Sequence, residues 1–167
     1  GSQTRGDALW GVLGPVSLLL VVAARPVLGA TADGFGIKKR LLIGTGIACA
    51  GLTCLLGLIG PGDVWLAVVL FICANFLYQI GENFLASFLP EVSTSRNIGR
   101  VSATGWTMGY IGALLLLVIT AVAMLLFDLG VPDWGPLFVV AGVWFLAGII
   151  TPAVVLRETP PQDPEAR

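Results

Sequence analysis

The chain has 167 residues, 56% hydrophobic and 11% charged, with a formal net charge of -1 and no histidine; its mean hydropathy is +0.93. A soluble domain carries roughly a quarter charged residues, so this composition excludes an ordinary soluble fold. The absence of a basic excess and of imidazole also excludes nucleic-acid binding and histidine-based metal centres.

The apolar residues arrive in blocks, several reaching the ~20 residues a helix needs to cross a bilayer. The blocks lack barrel-type alternation, and an open sheet cannot satisfy its edges in lipid. The expectation is an all-α membrane protein with five transmembrane helices and the lipid bilayer as its first partner. Residues 1–7 begin with Gly-Ser and no methionine, which reads as an outside segment or an expression scar. The first span is expected over 8–32 and contains Arg25 and Pro26. After it comes a short turn holding Asp33, Gly34, Gly36 and the cations Lys38, Lys39 and Arg40.

The second span is expected over 41–59, closed by the tight-turn sequence Gly60-Pro61-Gly62-Asp63. The third, over 64–89, carries Asn75, Tyr78, Gln79 and Glu82 at i, i+3, i+4 and i+7, with Asn83 beside them. That spacing puts the polar groups on one stripe of an otherwise apolar helix. Polar stripes inside a bilayer face a bundle interior or a water-filled cavity, and an ionisable member is a functional candidate. Glu82 has two readings: a structural ion pair with Arg25, which lies at the same depth at ~1.5 Å per residue, or a carboxylate that carries a proton.

The fourth span, over 102–127, shows a small-residue face of Ser102, Gly105, Gly109 and Gly112, suited to close helix approach in lipid. Gly44, Gly46, Gly51 and Gly57 of the second span look the same. The fifth span, over 135–156, has Pro136 where a first helical turn accepts it. Residues 157–167 are polar and proline-rich, a cytoplasmic tail or a linker between halves. Cys49, Cys54 and Cys73 sit in apolar blocks without ligand spacing, so no metal or cofactor is expected.

Orientation follows from the basic residues. One side holds Lys38, Lys39, Arg40, Arg96, Arg100 and Arg157, while the other holds Arg5 among Asp7, Asp63, Asp128 and Asp133. Cations in short loops stay cytoplasmic, which puts the N-terminus outside and the C-terminus inside, in a plasma or inner membrane. Topology alone accounts for Lys38, Lys39 and Arg40. It leaves Gly29, Asp33 and Gly36 over, because an aspartate at a helix C-terminus opposes the macrodipole and calls for a partner such as another helix N-terminus or a nearby arginine.

The stretch GATADGFGIKK, from Gly29 to Lys39, resembles the signature loop between the second and third helices of major facilitator superfamily transporters. Gly29, Asp33, Gly36 and Lys38 match, while Gly34 stands where arginine is usual and Ile37 where the first basic residue is usual. Leu89-Pro90-Glu91, Gly99-Arg100-Val101-Ser102, Gly105-Trp106 and Gly109-Tyr110 are similar, in order and spacing, to the fourth and fifth helices of the vacuole-effluxer-like branch, the autophagy-related amino-acid effluxers.

The resemblance covers helices two to six of a twelve-helix fold, so the chain corresponds to part of a six-helix half. It implies a half or fragment of a secondary active transporter that moves a small-molecule substrate, amino acids in the efflux direction, by alternating access. The partner would be the missing half or a second copy of the chain. It further implies an inside latch at Gly29, Asp33 and Gly36, a midplane site lined partly by Asn75 and Tyr78, and a fourth-span face that meets the other half. The alternative is a non-transport scaffold or accessory subunit. An intramembrane enzyme is not expected, because no paired carboxylates share a depth and no GxSxG occurs.

Overall fold

A computed structural model describes residues 11, 15, 18, 19, 21–24, 37–60, 62–130 and 133–157. The described positions of the first span are all helical. Arg25, Gly29, Asp33 and Gly36, and with them the latch and the Arg25 to Glu82 pairing, lie outside the described residues.

Five further helices follow: α1 (Lys38–Leu56), α2 (Val64–Ser87), α3 (Leu89–Val92), α4 (Ile98–Leu126) and α5 (Gly135–Val155). Four segments, Lys38–Leu56, Val64–Val92, Ile98–Leu126 and Gly135–Val155, are long and apolar enough to cross a membrane, and no strand occurs among the described residues. The chain is an all-α integral membrane protein. In lipid the helix is the open-chain solution that satisfies every backbone N–H and C=O internally.

Local chemistry sets the breaks. Gly62 adopts φ +112°, a backbone that side chains resist, and Asp63 follows at the N-cap position of α2, without a side-chain cap bond. Pro90 cannot continue α2, since it lacks an N–H and clashes with the preceding turn, so a short separate helix begins at Leu89 with proline in its first positions. Asp128, at φ 49°, ends α4 in the left-handed region, which aspartate tolerates better than most residues. Pro136 occupies the first turn of α5. Two helices begin earlier than their apolar blocks, because a helix needs only helical backbone while hydropathy marks the lipid-facing part. α1 takes in Lys38, Lys39 and Arg40, and α4 starts at Ile98 behind a turn in which Asn97 Oδ1 accepts from the Thr94 amide at 2.6 Å.

α1 is the central element, packed against α2 on one side and α5 on the other. Against α2, the Cys49 thiol donates to the Ala74 carbonyl at 3.4 Å, and Gly81 leaves just enough room for the Thr45 hydroxyl. Against α5 the approach is made by glycines spaced seven apart. Gly135 lies against the Gly57 backbone, Gly142 against Ala50 and Cys54, and Ile149 covers Gly46. Small residues let helix backbones close in lipid, where dispersion replaces the hydrophobic drive.

A second cluster sits at the end carrying Lys38, where Val21, Leu42, Ile80, Phe84, Phe88 and Leu156 are all buried. α4 stands apart, with no buried residue. Its 29 residues, about 43 Å at 1.5 Å per residue, exceed the ~30 Å hydrocarbon core.

Candidate functional site

Two groupings of polar side chains emerge, one at the basic end and one midway along the bundle. At the basic end, Lys38 Nζ lies 3.5 Å from Glu91 Oε1, with both side chains about four-fifths shielded at 21% and 23% exposure. The pair joins the start of α1 to α3. Three cations in the first turn oppose the α1 dipole, and Glu91 offsets that repulsion while tying the two segments together. Arg40, Arg96, Arg100 and Arg157 are exposed around it. Sequence reading overlooked this contact: Glu91 stood in the Leu-Pro-Glu motif, but 53 positions separate it from Lys38 and no local periodicity links them.

Midway, α2 is helical through the whole polar stripe. Its buried residues Ala74, Ile80, Gly81 and Phe84 and the stripe lie on roughly opposite sides of a helix turning about 100° per residue. Asn75, Gln79, Glu82 and Asn83 are half-buried, and Tyr78 is 45% exposed. The Asn83 side-chain amide donates to the Gln79 carbonyl at 2.9 Å, so it is satisfied on its own helix. Tyr78 meets Phe145 of α5, ring centroids 6.0 Å apart at 55°.

α4 touches α3 and α5 lightly. Its less exposed residues include Ser102, Gly112, Leu116 and Thr120, which share a helical face with Gly105 and Gly109. Yet a β-carbon at Gly105, Gly109 or Gly112 would meet nothing within 4 Å. The face lines open space, and the tight glycine contacts belong instead to α1 and α5. Trp106 and Tyr110 flank it, 6.0 Å apart and inclined by 32°. Sequence reading passed over Phe145 and these two rings as site residues, since aromatics in apolar runs carry no signal until their neighbours are known. No cluster of three potential metal-binding side chains occurs among the described residues.

Residues 12–99 match the family model described as vacuole effluxer Atg22 like. The chain is 30% identical over 129 residues to the uncharacterized MFS-type transporter YxiO of Bacillus subtilis (strain 168), an alignment covering 75% of this chain and 29% of that protein. The chain thus spans less than a third of that relative's length. No solved structure matches it.

Proposed function

The chain belongs to the vacuole effluxer Atg22-like family of MFS-type transporters, and from that premise we propose that it forms part of a secondary active transporter exporting a small solute, amino acids in the first instance. Alternating access requires two rocking units around a midplane site, so the working protein contains a second unit, either further chain or a second copy. The observation that carries this reading is the α2 stripe. Asn75, Gln79, Glu82 and Asn83 are only half-buried and lie away from α1. Polar groups left against lipid are costly, so this face is one that a solvated cavity and a second unit would cover.

The positive-inside rule supports an N-terminus outside and the Lys38 end cytoplasmic, in a plasma or inner membrane. Asp33 and Gly36, with Gly29, would act as a latch on that side. The test is counterflow in proteoliposomes holding the full-length protein and a panel of radiolabelled amino acids. Saturable exchange of at least one, reduced by Asn75→Leu, is expected. Absence of exchange across the panel, with the protein folded and inserted, overturns the amino-acid assignment.

A further inference from the structure

We infer that α5 is a two-part element: its segment up to Ile149 is fixed to α1, and residues 150–156 form an arm that swings off α1 about a hinge at Gly148 and Pro152. The contacts of α5 change character along its length. Gly135, Gly142, Ile149 and Leu156 recur every seven residues on the side that meets α1. The first two are glycines set against backbone: a β-carbon would lie 2.5 Å from the Gly57 carbonyl oxygen at Gly135 and 2.9 Å from the Ala50 carbonyl oxygen at Gly142. Backbones that close do not slide past one another, so this end is a fixed seam. Phe145, in ring contact with Tyr78 of α2, ties the same part down a second time. Further along, the contact is made by side-chain ends. Ile149 Cδ1 covers Gly46, and of residues 150–156 Leu156 is the one that is buried, at 7% exposure, in the cluster with Leu42, Ile80, Phe84 and Phe88.

The backbone is weakest between these two parts. Pro152 lies inside α5; it has no N–H to give the Gly148 carbonyl four residues back, and its ring crowds that carbonyl. Gly148 is the residue type with the most backbone freedom, and a β-carbon there would meet nothing within 4 Å, so packing does not demand glycine at this position. A missing hydrogen bond and an unconstrained glycine near a helix end are where a hinge rotation is absorbed. Beyond them the anchor is Leu156, and its release uncovers Leu42 of α1 and Phe84 of α2. The arm therefore opens the Lys38 end of the bundle while the Gly57 end stays shut. Its use in moving solute rests on the transporter reading above; the opening itself does not.

The test is amide hydrogen exchange, read by mass spectrometry, on the full-length protein in lipid nanodiscs without solute. Amides of residues 153–157 are expected to exchange roughly tenfold or more faster than those of 139–147, by local opening. Pro152→Ala returns a donor to the Gly148 carbonyl and should slow exchange over 153–157 roughly 2- to 12-fold. Gly148→Ala should act in the same direction, whereas fraying of the last turn alone would ignore it, and that outcome overturns the hinge. Leu156→Ala removes the anchor and should speed exchange over 153–157 while leaving 139–147 unchanged. Equal protection along α5, no slowing in Pro152→Ala, or acceleration that spreads over 139–147 also overturns the hinge, because α5 then moves as one rod. Counterflow in proteoliposomes separates the two readings. Slower flux per molecule in Pro152→Ala supports the arm as part of the transport cycle, and unchanged flux removes that use. No flux of any solute in the wild type refutes the carrier and leaves the hinge intact.

Discussion

Replacing Gly142 by alanine tests the α1–α5 seam directly. A β-carbon at this position would collide with Cys54 Sγ, lie 2.9 Å from the Ala50 carbonyl oxygen and 3.3 Å from the Cys54 amide nitrogen. Two of those atoms are α1 backbone, which cannot swing aside as a side-chain end can, so the helices must part. Overpacking of this kind costs about 1–3 kcal/mol, partly offset by about 1 kcal/mol from alanine's better helix propensity. Gly109→Ala gains the same propensity and meets nothing within 4 Å. Subtracting one variant from the other cancels the propensity and leaves the collision, about 1–3 kcal/mol. Gly46→Ala should fall between them, because its β-carbon meets Ile149 Cδ1 at 2.6 Å, the movable end of a flexible side chain. The assay is thermal unfolding of the full-length protein in detergent, followed by fluorescence-detected size exclusion. Equal melting of the Gly142 and Gly109 variants, or the reverse order, would refute both the seam and the open face on α4.

The Lys38 to Glu91 pair should show a coupling of about 0.5–1 kcal/mol in a double-mutant cycle of Lys38→Gln and Glu91→Gln, its partial shielding placing it near the top of the surface range; additive effects on unfolding would mean the contact contributes nothing. If Glu82 carries a proton, Glu82→Gln removes the pH dependence of solute exchange, and an unchanged profile in proteoliposomes discards that role. Asp33→Asn should slow exchange per molecule while leaving expression and melting near wild type. Lost expression with normal exchange per surviving molecule would rule out the latch.

Much of the architecture was legible because it is local. Runs of apolar residues dictate helices once lipid withholds hydrogen-bond partners, and Gly62, Pro90 and Pro136 mark breaks or starts through backbone constraints that act over a few residues. The α2 stripe was equally legible, since i, i+3, i+4 and i+7 name one helical face whatever surrounds it. What that stripe faces was not. Gly46 and Gly109 look alike in sequence, yet one is covered by Ile149 and the other borders open space.

The amino-acid sequence by itself determined that this is an α-helical membrane protein and which residues share a helical face. Tertiary structure alone decided that α1 is the central helix, that its glycines and those of α5 make the close seam, that Lys38 reaches Glu91, and that Tyr78 meets Phe145. Periodicity reports a residue's direction around its own axis. Which helix stands in that direction depends on contacts between segments tens of residues apart, and those are set by how the helices pack together.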